Sequence, residues 1–141
     1  MRRVLDASVA LKWVLPEPLA GKAQQLRDDY QNRIHELIAP DTFPAEVANA
    51  LTRGERKKVI TVGQAPGLLA DIMQSLPVLH PYAPLLARAT LVSSRFRLTI
   101  YDCLNVVLAE REGCELVTAD DKLVRNLGKH FPFIVALSSL P

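Results

Sequence analysis

Apolar positions along this chain fall into two spacings that take turns. Short apolar runs at Val4-Leu5, Leu37 to Ala39, Pro77 to His80, Glu115 to Thr118 and Phe133 to Leu137 read as buried strands. Between them, apolar residues recur every three or four positions and predict helices. The first runs from Val9 to Leu15, with Ser8 placed to cap it and Pro16 to stop it. A second, from Glu17 to Tyr30, carries Leu19, Ala23, Leu26 and Tyr30 on one face. A third starts at Pro44 and runs to about Lys57, with Val47, Ala50, Leu51 and Gly54 inward and Glu46, Asn49 and Arg53 sharing another face. Thr61 to Leu76 reads as helix through Leu68, Leu69, Ile72 and Leu76, although Pro66-Gly67 blurs its start. Leu85, Leu86, Ala89 and Val92 mark a fifth helix. Leu104, Val107, Leu108 and Arg111 mark a sixth, closed by Gly113 at a left-handed cap, and Leu123 and Leu127 mark a seventh. Strands alternating with helices predict an α/β fold: a three-layer α/β/α sandwich around a mostly parallel sheet of about five strands.

A length of 141 residues suits one domain with a single real core. Hydrophobic residues at 49% and charged residues at 23% are ordinary for a soluble globular protein. The net charge of +2 permits an anionic partner without demanding one. Cys103 and Cys114 lack metal-finger or redox spacing and lie in apolar surroundings, so free buried thiols in a reducing cytoplasm are expected. Arg2-Arg3 before an apolar run has the look of a signal peptide, but Asp6 and Lys12 interrupt the run. No segment is apolar long enough to span a bilayer, so no membrane association is expected. His35, His80 and His130 are scattered, Trp13 reads as core, and no Gly-rich phosphate loop is present.

The chemistry, where there is any, lies in four acids. Asp6 ends the first strand, Glu46 sits in the first turns after the second, Asp102 opens a helix, and Asp120 ends the fourth strand. In a parallel sheet these ends share one edge, so acids far apart in the chain can meet there. An all-oxygen cluster of this kind suits Mg²⁺ or Mn²⁺. Each acid alone also fits a structural role: Thr99 and Asp102 make a capping box, and Asp120 is a good cap for the seventh helix. The four in register favour a site. Arg53, Arg56 and Lys57 are possible phosphate contacts, although cations at a helix C-terminus are also simply favourable in solvent.

Leu5-Asp6-Ala7-Ser8, Pro44 to Leu51, Tyr101-Asp102-Cys103 and Leu116-Val117-Thr118-Ala119-Asp120, in this order and spacing, resemble the PIN-domain proteins, and more narrowly the VapC-type toxin ribonucleases. The resemblance covers essentially the whole chain. It implies metal-dependent cleavage of RNA by Mg²⁺ or Mn²⁺, with Asp6, Glu46, Asp102 and Asp120 as catalytic, metal-holding acids. Ser8 and Thr118 would be hydroxyl residues orienting that quartet, with Asn49 and Asp121 around it. It also implies a VapB-type antitoxin as partner and a homodimer, for which the helices from Glu17 to Tyr30 and Gln64 to Leu76 are the expected contact surface through Leu26, Tyr30, Leu68 and Ile72. The chain departs from the pattern at Cys103-Leu104-Asn105, where many relatives have a small residue followed by an aromatic one, and at the extra acid Asp121. The alternative is a catalytically silent module of the same fold that binds RNA or protein.

Overall fold

The structure is a computed structural model describing residues 1–141. Five strands, β1 (Arg2–Leu5), β2 (Glu36–Pro40), β3 (Val78–His80), β4 (Glu115–Thr118) and β5 (Ile134–Ala136), form one sheet in the order β3-β2-β1-β4-β5. All four pairings are parallel, and in register Val4 stands opposite both Ile38 and Leu116. Seven helices connect them: α1 (Ala7–Leu11), α2 (Ala20–Gln31), α3 (Phe43–Arg56), α4 (Ala65–Met73), α5 (Leu86–Phe96), α6 (Ile100–Glu112) and α7 (Asp121–Leu127).

Strand side chains alternate between faces, so the sheet divides the interior in two. Val4, Ile38 and Leu116 point into a core completed by Ala89 and Val92 of α5, the apolar run of α6, and Leu123 and Leu127 of α7. Leu5, Leu37, Ala39 and Val117 point the other way, onto Val9, Ala23, Leu26, Phe43, Val47, Leu51 and Ile72 from α1 to α4. Both sheet faces are therefore covered, which is why the strands read as continuous apolar runs. The three-layer sandwich expected from the sequence is the fold observed.

Several element ends differ from expectation. The cap of α1 is Asp6, in extended conformation at φ −75° and ψ 143°; Ser8 lies inside the helix with its hydroxyl turned to another task. That helix stops at Leu11 rather than Leu15. Leu19 takes a left-handed φ of 66°, so α2 begins only at Ala20. Likewise α4 spans Ala65–Met73, because Glu55 of α3 accepts the amides of Gly63 and Ala65 at 2.9 and 2.8 Å and fixes its start. Gly113 closes α6 at φ 64°, as its sequence position predicts.

The expected contact surface is corrected. Leu26 and Ile72 are buried at 4% and 0% exposure, and Tyr30 and Leu68 pack against the same core. Arg27 further ties α2 to α4, donating to the Ser75 hydroxyl at 2.8 Å and the Asp71 carboxylate at 2.9 Å. The apolar faces of these helices are turned into the core of the chain itself, which removes the stated basis for docking a partner there. No helix is long and apolar enough to cross a membrane.

Candidate active site

Chain direction across the sheet reverses between β1 and β4: β2 and β3 lie on one side, β5 on the other. At such a switch point the loops leaving the carboxyl ends of neighbouring strands diverge and leave a crevice. Asp6 follows β1 and Asp120 follows β4, so both arise at the crevice from adjacent strands.

Asp6 is 6% exposed, and its carboxylate is held at both oxygens. Asn105 of α6 donates from Nδ2 to Oδ1 at 3.0 Å. Ser8 and Thr118 each donate to Oδ2, at 2.5 and 2.8 Å. The two hydroxyls accept in turn from backbone amides at the β4–α7 turn, Ala119 to Ser8 and Asp120 to Thr118, both at 3.0 Å. Each hydroxyl has one proton and uses it on Asp6, so two chains run from amide through hydroxyl to carboxylate and polarise one another. The expected roles of Ser8 and Thr118 beside the acid thus have a concrete geometry, and the β4–α7 turn is set by the same bonds.

Asp102 lies in the first turn of α6, where its amide donates to the Thr99 hydroxyl at 3.2 Å in the capping arrangement. Glu46 lies in the first turn of α3, and Thr42 donates to its Oε1 at 3.2 Å. Asp120 caps α7, its Oδ1 accepting the amides of Lys122 and Leu123 at 3.0 and 3.3 Å. Capping and site geometry coincide at Asp102 and Asp120, because one oxygen or one amide serves the helix end and the rest of the group is left over.

Asp6, Glu46 and Asp102 each feel the charge of a neighbouring acid. Burial pushes Glu46 up to about 7, with the charges of Asp6 and then Asp102 adding to the effect. Burial also pushes Asp102 up to about 6, with help from Asp6 and Asp120. Asp6 is raised by burial and by Asp120, against the lowering effect of its bonds to Ser8 and Thr118. None of the four forms an ion pair with a Lys, Arg or His. The result is unneutralised negative charge gathered on oxygen donors only, a donor set that fits a hard divalent cation and offers nothing to a soft one. No three acids approach closely enough to form a ready-made cage, as expected of like charges facing one another without a counter-ion.

Glu46 and Asp102 open onto a cleft of about 590 Å³, shared with Thr42, Asn49, Arg53, Thr99 and Tyr101. Ala50, expected to face the core, also lines it. Asp6 is buried and outside the cleft lining, and Asp120 is exposed and outside it too, linked to Asp6 through the Thr118 hydroxyl. The single open pocket expected for all four is therefore corrected to a cleft lined by two of them, Glu46 and Asp102. Of the outer candidates, Asn49 and Arg53 line the cleft, whereas Arg56, Lys57 and Asp121 are exposed and do not.

Sequence reasoning missed Asn105. It is 2% exposed in a helix whose residues from Cys103 to Ala109 are otherwise all apolar and buried. The signal was present: a lone amide in an apolar run, three positions after Asp102 on the same helical face.

Comparison with known proteins identifies the family. The family model described as PIN domain matches residues 3–128. Ribonuclease VapC3 of Pyrobaculum aerophilum is 31% identical over 137 residues, covering 96% of this chain and 98% of that protein. Ribonuclease VapC12 of Mycobacterium tuberculosis is 32% identical over 127 residues, covering 89% of this chain and 92% of that one. Among solved structures, PAE2754 from Pyrobaculum aerophilum matches with a TM-score of 0.70 at 21% identity, over 99% of this chain and 94% of the other. VapBC2 from Rickettsia felis, bound to a DNA fragment from their promoter, matches with a TM-score of 0.62 at 15% identity, over 96% of this chain and 97% of the other. The chain belongs to the PIN-domain family, in its VapC-type branch.

Proposed function

We propose that this protein is an endoribonuclease dependent on Mg²⁺ or Mn²⁺, the toxin of a toxin–antitoxin pair. The observation that carries the reading is a group of four acids at the carboxyl edge of the sheet, Asp6, Glu46, Asp102 and Asp120, none of them paired with a cationic side chain. The relatives named as VapC ribonucleases support it.

In this reading Asp6, Glu46, Asp102 and Asp120 hold the cation, which when bound supplies Lewis-acid stabilisation and a more acidic water. Ser8, Thr118 and Asn105 fix the plane of the Asp6 carboxylate. Glu46 and Asp102 stand on the open side of the group, in the cleft lining, where substrate and water reach them. Water adds at phosphorus, the bond from phosphorus to the 3′ oxygen breaks, and the products are a 5′-phosphate and a 3′-hydroxyl. A VapB-type antitoxin and a second copy of the chain belong to the same proposal, through surfaces other than the buried faces of α2 and α4. A cytoplasmic location goes with it.

Cleavage of labelled single-stranded RNA, with Mg²⁺ and with chelator, tests the reading. Cleavage that stops in chelator and in the Asp6→Asn variant is expected. Metal-bound protein that leaves every RNA intact would favour the silent binding module.

A further inference from the structure

The cleft has a second half whose chemistry the acids do not explain. Tyr101 stands in its wall with 52% of its surface exposed, at the first turn of α6. Arg53 lines the same cleft seven residues beyond Glu46 on α3, exposed and paired with no carboxylate. Asn49 lies between them on that helix, exposed, engaged only through its backbone carbonyl. An aromatic ring, a guanidinium and a free amide thus line the same cleft as Glu46 and Asp102. The volume of about 590 Å³ falls within the range of small-ligand sites.

We infer that this half of the cleft binds one unpaired nucleotide, its base stacked on Tyr101 and a phosphate on Arg53. The inference rests on the ribonuclease reading and adds which residues select the substrate's form. Aromatic rings serve single strands because every base has a face to stack, whereas bases in a duplex are already stacked on each other. Arg53 suits phosphate because its planar fork can donate twice to the oxygens. A protein contact is the other use of an exposed tyrosine beside an arginine, but the centre of a protein interface is depleted of Asp and Glu. Tyr101 instead shares its cleft with Glu46 and Asp102.

Binding measured in chelator separates this from cleavage. The probe is a fluorescent single-stranded RNA of mixed sequence, compared with a blunt RNA duplex of equal length. Wild type should prefer the single strand. Tyr101→Leu should weaken single-strand binding by about tenfold or more, at the scale of one lost stacking contact, while Tyr101→Phe keeps the ring and the preference. Arg53→Gln should weaken binding and flatten its salt dependence. Circular dichroism melts confirm that each variant is folded. Equal affinity for duplex, or Tyr101→Leu binding like wild type, would overturn the inference even if Mg²⁺-dependent cleavage is found. Tyr101-dependent binding without any cleavage would uphold it and sink the ribonuclease reading instead. Wild type that binds neither RNA would overturn it outright.

Discussion

Asn105 donates to Asp6 across 3.0 Å although the two lie 99 residues apart in the chain. The bond joins α6 to the end of β1 inside the protein, where Asp6 is 6% and Asn105 2% exposed. It completes the set of donors around a carboxylate with no counter-ion, and a buried acceptor left unpaired is costly.

Replacing Asn105 therefore acts through Asp6. Asn105→Leu keeps the branched shape but strands Oδ1 of Asp6, and should destabilise the fold by about 1–3 kcal/mol. Asn105→Asp sets a second acid against the first, so the two share a proton at low pH and repel at high pH. Its deficit relative to wild type should grow as pH rises. Urea unfolding of both variants from pH 5 to pH 8 measures this, and a pH-independent deficit for Asn105→Asp would contradict it.

The raised acids also predict how the wild type responds to pH. Asp102 and Glu46 titrate near 3.8 and 4.5 when unfolded, and at about 6 and about 7 when folded. Between those values the folded chain binds more protons than the unfolded one, so stability falls as pH rises. The loss begins above about 4 and is complete above about 7. In chelator the melting temperature should be higher at pH 5.5 than at pH 7.5, and saturating Mg²⁺ should narrow the difference. Melting temperatures that rise across this window in chelator would show that other groups dominate.

Much of this was legible before any coordinates. The strands and the three layers follow from apolar runs alternating with helical periods, and residues such as Val4 and Leu5 carry their opposite-facing roles in their adjacency. Asp6, Glu46, Asp102 and Asp120 stand out as candidates because each lies beside a strand end or in a first helical turn. What escaped was whatever depends on distant partners. Ser8 reads locally as a cap, yet its hydroxyl is claimed by Asp6 and by the amide of Ala119, 111 residues away. Leu26 and Ile72 read as surface on helices that pack on each other through Arg27 and Asp71. Asn105 reads as a departure from a family pattern, and only the fold shows what it touches.

The start of α4 is another long-range effect. Glu55 accepts the amides of Gly63 and Ala65 with the same oxygen, so one carboxylate caps a helix from the end of another. Glu55→Ala should cost about 0.5–2 kcal/mol, the usual value of a lost cap, with RNA binding in chelator unchanged. Hydrogen exchange should show the loss concentrated in α4. Uniform loosening of the whole chain would instead point to a global role.

Asp6→Asn sets the metal reading against a purely structural one. The substitution loses the charge that Ser8, Thr118 and Asn105 stabilise, yet burial outweighs those bonds in setting the proton affinity of Asp6. Losing the charge should then relieve more than it removes. The new amide can still accept from Asn105, and it can donate to the Ser8 and Thr118 oxygens once those hydroxyls rotate. In chelator at pH 7.5 the variant should therefore melt no lower than wild type. Wild type should gain about 1.4 kcal/mol when Mg²⁺ stands at tenfold excess over its dissociation constant, while the variant gains much less at the same concentration. Were Asp6 only the hub that ties β1 to α6 and β4, the pattern would invert. The variant would lose stability in chelator, and Mg²⁺ would change neither protein. Calorimetric melts of the two proteins, each with chelator and with Mg²⁺, decide between them. A destabilised variant beside a wild type indifferent to Mg²⁺ would refute a metal site built on Asp6.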